Sequence, residues 1–428
     1  MSFNNGNNNI SSFDLKVDSI CESIKILKNV LLNNAFINIE LNHTKDKTAI
    51  KIVKTVMENY FNIQFILEYL QSKKIKNNQL PIMYVGICLI KFLNYTSSQV
   101  CNYYVEILKK FGKSAIYDYC VFIFNKVENG EIVYPKEKSS KYQEIKYNYP
   151  SWIIGLIKKD YPSEFEKILT SKSSKYKHVR ISLKENKNEI LKLLDVKKVT
   201  ETGAFINVNE AAKRLVIEGK ITYMSLGSTY LCDLINVKEN QLIFDTCAAP
   251  GGKSVFFAEK GLIVTSSDIY DSRLELIKSY ANRMGVKLNI IKSDATIFNK
   301  EFEKKFDIVF CDVPCSGLGV MNEKYDIMLN RTYDDILSLS DVQFKILENT
   351  CKYVKDNGLL VYSTCTLTKI ENDKNVSKFL ENHTEFTKEK ITINYNSLSK
   401  FIDNDGSIQF LPDNDGMEGF YICQMRKK

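Results

Sequence analysis

The sequence predicts a multidomain protein: an N-terminal all-α bundle, a small α+β module, and a C-terminal doubly wound α/β domain. Three observations carry this. The chain has 428 residues, and at roughly 150 residues per domain that length suggests about three cores. Apolar residues recur at helical spacing up to about Gln143 without strand-like alternation. From Gln241 onward, short apolar runs alternate with helical segments, the pattern of a parallel sheet flanked by helices. Hydrophobic residues at 44% and charged residues at 26% are ordinary for a globular chain.

The elements follow in order. Residues 1–12, with Asn4, Asn5, Asn7, Asn8 and Asn9, form a polar stretch read as a disordered tail. Val17, Ile20, Ile24, Leu27, Val30 and Leu31, and later Ile82, Val85, Leu89, Ile90 and Leu93, mark buried helix faces, giving six or seven helices over 13–145. Gly130, Pro135 and the run Lys136 to Lys141 read as a linker that closes the bundle. Tyr149-Pro150-Ser151-Trp152 then leads into the amphipathic Ile153 to Asp160. Within 146–225, the strands His178 to Leu183 and Ala204 to Val208 and the helix Lys187 to Leu194 form the small module. The third domain spans 226–428. Its strands are Leu242 to Thr246, Leu262 to Ser266, Leu288 to Ile291, Asp307 to Cys311 and Leu359 to Ser363, and its helix Ser272 to Met284 is stopped by Gly285. Ser407 to Leu411 and Gly419 to Met425, separated by Pro412 and Asp413-Asn414-Asp415-Gly416, read as a closing hairpin.

The net charge of +8 is uneven. Residues 1–150 carry 19 basic and 13 acidic side chains, residues 151–240 carry 16 and 11, and residues 241–428 carry 24 and 27. A basic front half joined to a slightly acidic back half suggests a polyanion-binding platform serving a separate active site, although a Lys- and Asn-rich codon usage gives the same excess. No segment approaches the roughly 18 apolar residues of a membrane span, and Met1 to Asp14 lacks the apolar centre of a signal peptide. The chain is therefore read as cytosolic, with eleven reduced cysteines. No Cys-x-x-Cys pair exists, and His43, His178 and His383 lie far apart, so neither a metal site nor Ser-His-Asp chemistry is expected. All three histidines are expected on the surface or in loops.

Open α/β sheets bind ligands at the carboxyl ends of their strands. The first strand exits through Asp245-Thr246-Cys247-Ala248-Ala249-Pro250-Gly251-Gly252-Lys253, a Gly-rich turn into a helix that lets backbone approach a ligand. It has neither G-x-G-x-x-G spacing nor a Walker lysine, which argues against dinucleotides and nucleoside triphosphates. The next strands end at Asp268, Asp294 and Asp312. One Asp alone would be read as capping a following turn. Four acids at successive strand ends instead fit a ligand with ribose, adenine and a positive charge, which describes S-adenosylmethionine.

Two cysteines stand apart by their neighbours. Cys311-Asp312-Val313-Pro314-Cys315-Ser316-Gly317 follows the fourth strand and Tyr362-Ser363-Thr364-Cys365-Thr366 the fifth, so Cys315 and Cys365 project over one crevice. Two thiols above a methyl donor suggest addition to an electron-poor ring. Cytosine needs that help, because its C5 becomes nucleophilic only once a thiolate has added at C6. Cys88, Cys232, Cys247 and Cys311 are read as small buried hydrophobes. The competing chemistry, methylation of an amino group, usually has an aromatic residue after the proline, where this chain has Cys315.

Asp-Thr-Cys-Ala-Ala-Pro-Gly-Gly-Lys, Asp-Val-Pro-Cys-Ser-Gly and Tyr-Ser-Thr-Cys-Thr, in this order, resemble the RNA cytosine-5 methyltransferases of the RsmB/Nop/Sun group. Tyr149-Pro150-Ser151-Trp152 and the closing Asp415-Gly416-Met417-Glu418-Gly419-Phe420-Tyr421 further resemble the bacterial branch that acts on 16S ribosomal RNA. The resemblance implies a NusB-like RNA-binding bundle, an RRM-like small module and a Rossmann-like methyltransferase domain. It implies that Cys365 attacks C6, that Cys315 assists elimination and product release, that Asp312 supports the cytosine N3 and amino edge, and that Lys253 lies near them. Cys247, Ala248, Ala249, Pro250, Gly251, Gly252, Lys253, Asp268, Arg273, Asp294 and Asp312 would then hold the cofactor. A monomer acting on a flipped or single-stranded cytosine is expected, with no membrane partner and no metal. Sequence alone does not order the two thiols. Met224-Ser225, Asn322-Glu323-Lys324-Tyr325 and Ser182 depart from the group's usual residues, which bears on RNA contacts. Two other expectations stand beside this one: a transfer RNA cytosine-5 methyltransferase, and a ribosome-assembly factor that keeps the fold without turnover.

Overall fold

The computed structural model describes residues 15–393, 402–404 and 406–428; the polar tail expected over 1–12 lies outside them. The chain forms two compact units, Met1–Leu156 with Lys324–Asn330, and Ile157–Glu323 with Arg331–Lys428.

The first unit is helical. Its helices are α1 (Val17–Asn33), α2 (Ile37–His43), α3 (Lys47–Glu58), α4 (Tyr60–Leu70), α5 (Leu80–Lys91), α6 (Ser97–Lys110), α7 (Tyr117–Glu128) and α8 (Ser140–Tyr147). Asp46 starts α3 by accepting from Thr48 N at 2.8 Å and Ala49 N at 3.0 Å, and Thr96 and Gln99 form a capping box on α6. Pro81 through Ile90 are all buried, which makes α5 the central helix around which the others pack. The linker is shorter than the sequence suggested. Ser139 accepts from Tyr142 N and nucleates α8 inside the Lys136 to Lys141 run, and Asn148 ties that helix to the bundle through Met57 O at 2.8 Å. The unit thus continues past residue 145 to Leu156. Its inserted segment holds α16 in chain order (Ile327–Asn330).

Helix α9 (Ser151–Asp160) runs into the second unit, followed by α10 (Phe165–Thr170). The small module is a four-stranded antiparallel sheet in the order β2-β3-β1-β4, from β1 (Lys177–Ile181), β2 (Asp195–Val199), β3 (Gly203–Asn207) and β4 (Ile221–Tyr223), with α11 (Lys187–Lys192) and α12 (Glu210–Ile217). Val179, Ile181, Ile190, Ala204, Ile206, Leu215 and Ile221 form its core. His178 is not a surface residue. It is buried in β1, with Nδ1 2.7 Å from Met224 O and Nε2 2.9 Å from Thr200 Oγ1, and burial pushes its imidazole down to about 4.

The larger sheet contains β5 (Leu242–Asp245), β6 (Ile263–Asp268), β7 (Asn289–Lys292), β8 (Phe306–Asp312), β9 (Val354–Thr364), β10 (Phe386–Lys388), β11 (Ile402–Asn404), β12 (Ser407–Phe410) and β13 (Phe420–Lys427). Its order is β11-β12-β13-β9-β8-β5-β6-β7, with β10 paired to β13. Strands β5 to β9 are parallel, whereas β13 is antiparallel to β9 and β12, giving the doubly wound sheet with its closing hairpin. Helices α13 (Leu226–Asp233), α14 (Gly252–Glu259), α15 (Asp271–Met284), α17 (Tyr333–Thr350) and α18 (Asp373–Asn382) accompany the strands. Gly285 ends α15 in the left-handed region, φ 62°. Because β6 lies on one side of β5 and β8 on the other, the winding reverses beside β5, and a crevice forms at those carboxyl ends. Among the described residues, no helix is long and apolar enough to cross a membrane.

Candidate active site

The turn after β5 is held from beneath. Ala248 N donates to Ser267 O at 2.8 Å, Ser267 Oγ to Thr246 O at 3.0 Å, and Gly251 N to Ala248 O at 2.8 Å. Gly251 caps α14 with φ 108°, a conformation that side chains disfavour, and a Cβ there would lie 3.2 Å from Ile277 Cα. Cys247 is half-buried and its thiol is pushed up by burial, while Ala248 is buried and Ala249, Gly252 and Lys253 are half-buried beside the exposed Pro250.

The four strand-end acids have different surroundings. Asp245 is 1% exposed and braces the turn from inside: Oδ2 accepts from Ser254 Oγ at 2.6 Å, and burial lifts the carboxyl to about 7. Its Oδ1 is buried without a hydrogen-bond partner. Asp268 is buried at the end of β6. Its Oδ1 accepts from Tyr270 N at 3.3 Å, and its Oδ2 has no hydrogen-bond partner, with Arg273 Nε 3.3 Å away as an ion contact. Arg273 also reaches Ala249 O at 3.4 Å, joining the Gly-rich turn to this acid. Asp294 uses Oδ1 to hold its own turn, accepting from Thr296 N at 2.9 Å and Thr296 Oγ1 at 2.7 Å. Asp312 accepts from Lys253 Nζ at 2.5 Å and from Ser363 Oγ at 2.9 Å. Burial alone would lower the Lys253 ammonium, but the adjoining Asp312 carboxylate outweighs it, aided by the Cys232 and Cys365 thiols, and holds it raised and charged.

Cys315 and Cys365 meet as their flanking strands require. Their sulfurs are 3.3 Å apart and unbonded, and Cys365 N donates to Cys315 Sγ at 3.3 Å. Both are half-buried at the strand ends. The pairing of β8 with β9 puts Asp312 opposite Ser363, so both sequence motifs leave the sheet side by side. Gly319 then closes the contact: its N–H donates to Cys365 O at 3.0 Å, and its carbonyl accepts from Gly419 N at 2.8 Å. The crevice therefore presents a nucleophilic pair beside a fixed ammonium–carboxylate pair, with a backbone-lined cradle next to it.

Several contributors were invisible in the sequence. Glu371 is fully buried under both cysteine loops, although it sits in a polar stretch with Lys369, Asn372, Asp373 and Lys374. Arg180 and Glu259 form an ion pair with both side chains buried, and Ser182 Oγ adds a hydrogen bond to Glu259 at 2.7 Å, so the small module grips the helix that begins at the Gly-rich turn. Glu418 is buried with Gly227 N donating to it at 3.1 Å, at the start of α13. Ser225 caps that helix by accepting from Ser228 N. Among the described residues, no group of three or more His, Cys, Asp or Glu side chains is arranged to hold a metal ion.

Residues 232–426 match the family model for 16S rRNA methyltransferase RsmB/F. A Bacillus subtilis (strain 168) protein described as "Probable ribosomal RNA small subunit methyltransferase B" is 36% identical over 223 residues, 49% of this chain and 48% of that protein, so this match spans about half the relative's length. The Coxiella burnetii protein of the same description is 26% identical over 86% of this chain and 89% of its own. Among solved structures, PH0851 shares the fold with a TM-score of 0.81 at 20% identity, covering 97% of this chain and 100% of its own. NSun6 from Pyrococcus horikoshii, solved with SFG, has a TM-score of 0.55 at 19% identity over 65% of this chain and 98% of its own.

Proposed function

Since the chain belongs to the RsmB/F methyltransferase family through residues 232–426, we propose that it is an S-adenosylmethionine-dependent enzyme forming 5-methylcytosine in 16S, small-subunit ribosomal RNA. The observation that carries this reading is the pair of sulfurs 3.3 Å apart beside the Lys253–Asp312 ion pair. The residues also fit the cofactor. The buried Asp268 Oδ2, without a hydrogen-bond partner, suits a ribose hydroxyl donor. The Gly251 turn admits close backbone approach. Asp294 and Arg273 complete the proposed cradle with Cys247 to Lys253. When bound, S-adenosylmethionine supplies the electrophilic methyl group that C5 takes up.

The chain's own residues do the rest. The Cys365 thiolate forms a bond to C6 of a flipped or single-stranded cytosine, and the C5–C6 π pair moves onto C5, which becomes enamine-like. Asp312, held by Lys253 and Ser363, faces the N3 and amino edge and fixes the ring over the sulfur. After methylation, C5 loses its proton to solvent. The electron pair of that C5–H bond forms the new C5–C6 double bond as the C6–sulfur bond breaks, and the C6–sulfur pair leaves with the sulfur as the Cys365 thiolate. Cys315, in hydrogen-bond reach of that sulfur, assists this departure. The basic helical unit serves as the NusB-like platform for RNA and the small sheet as an RRM-like module, both in a monomer. Incubating the full-length chain with labelled S-adenosylmethionine and 16S RNA, then bisulfite sequencing, tests the proposal. One protected cytosine is expected. Label in transfer RNA alone, on an exocyclic amino group, or nowhere would overturn it.

A further inference from the structure

Beneath the two cysteine loops lies a carboxylate with no access to solvent and an unusual density of donors. Glu371 is 0% exposed. Its Oε1 accepts from Ser316 N at 2.8 Å and from Gln343 Nε2 at 2.9 Å, and its Oε2 accepts from Ser316 Oγ at 2.6 Å and Thr368 Oγ1 at 2.7 Å. Ser316 follows Cys315 directly, and Thr368 lies just beyond Cys365. Thr366, next to Cys365, is 2.7 Å from the Ser316 hydroxyl. Gln343 of α17 also donates to Pro314 O at 2.9 Å, so the same clamp holds the residue before Cys315. A buried anion satisfied by this many donors is costly to disturb, and it fixes the groups that satisfy it.

We infer that Glu371 is a positioning residue of the two-cysteine site: it locks the Cys315 loop onto the Cys365 loop and sets its carboxylate on the Cys315 side. This inference rests on the proposed function for its purpose, though not for its alkylation test. The surroundings are asymmetric. Cys315 faces Cys365, Glu371 and the buried Tyr362, whose hydroxyl donates to Glu371 O at 2.5 Å, while α17 offers only neutral Gln343. The Lys253 ammonium, from α14, is paired with Asp312 of β8 and interacts with Cys365. The hydrogen bond to Cys365, burial, and the charges of Cys365 and Glu371 push the Cys315 thiol well above its ordinary range. Cys315 therefore keeps its proton and can donate it, as a hydrogen bond, to the Cys365 sulfur during attack and departure. The division of labour between two chemically identical side chains then follows from an anion on one side and a cation on the other.

The test uses the full chain and iodoacetamide, with each cysteine followed by peptide mass spectrometry. In a Cys365→Ala background, Glu371→Gln is expected to raise Cys315 alkylation near pH 8 roughly tenfold, because removing a nearby negative charge favours the thiolate. In a Cys315→Ala background, the same substitution is expected to leave Cys365 alkylation within about twofold. Unchanged Cys315 reactivity, or equal acceleration of both cysteines, would overturn the inference. Should Glu371→Gln not fold, Glu371→Asp keeps the charge and shortens its reach: Cys315 stays slow while methyl transfer falls roughly 100-fold, the scale of an ångström-sized misplacement. Full methyl transfer in that variant would equally overturn it. Alkylation needs neither cofactor nor RNA, so a wild-type chain inert toward RNA defeats the proposed function, whereas unaltered Cys315 reactivity defeats this inference alone.

Discussion

Gly319→Ala is the most demanding perturbation of the site that leaves every reactive group in place. A Cβ at residue 319 would stand 2.1 Å from Gly419 O and 2.8 Å from Cys365 O, whereas ordinary contact begins near 3.4 Å. Both obstacles are backbone atoms, so no side chain can rotate away. The loops must part by at least about 1 Å, breaking the Gly319–Cys365 and Gly419–Gly319 hydrogen bonds. Displacements of that size cost roughly 100-fold in rate when reacting atoms lie in near-attack geometry. Overpacking adds about 1–3 kcal/mol of destabilisation. The cofactor cradle lies on β5 to β7 and is not touched. Single-turnover methyl transfer should therefore fall about 100-fold while S-adenosylmethionine affinity, measured calorimetrically, stays within about twofold. Gly155→Ala, at a position where a Cβ meets nothing within 4 Å, is the control. A Gly319→Ala enzyme with wild-type turnover would show that this backbone contact does not place Cys365.

Two further outcomes concern stability and RNA. Burial lifts Glu418 to about 8 from an ordinary 4.5, so the folded chain holds a proton that the unfolded chain releases, and stability falls as pH rises between those values by roughly 1.4 kcal/mol per unit. Glu418→Gln should flatten this decline and melt above wild type near pH 9; equal melting temperatures there would contradict it. RNA affinity of the full chain should drop steeply between roughly 50 and 200 mM salt through counterion release, with cofactor affinity nearly constant. A flat RNA response would show that the basic excess of residues 1–150 does not meet phosphate.

The larger sheet was legible because strand ends carry unlike chemistry. Asp268, Asp312, Cys315 and Cys365 each close an apolar run, and the parallel register then places them together without further information. What escaped the sequence was set by partners distant along the chain. Asp245 and Asp268 occupy equivalent strand ends and each keeps one oxygen without a hydrogen-bond partner, yet the first is bonded from α14 by Ser254, itself bonded by Ser266, while the second meets Arg273 of α15. His178 is interior because Met224 and Thr200 satisfy both ring nitrogens. Strand β2 is a lysine-bearing edge and β4 has three residues, so neither shows the alternation that marks a strand. Glu371 has one local partner, Thr368, but the donors that make it a clamp on the Cys315 loop, Ser316 and Gln343, lie far along the chain.

The central claim is a transient bond between Cys365 and C6 of cytosine. Its most direct test is the Cys315→Ala enzyme with 16S RNA and S-adenosylmethionine, resolved by denaturing electrophoresis and peptide mass spectrometry. A protein–RNA adduct that survives denaturation and maps to Cys365 is predicted, and it should vanish when Cys365→Ala is added. A reaction that leaves neither adduct nor methylated cytosine, or an adduct on another residue, would contradict the account.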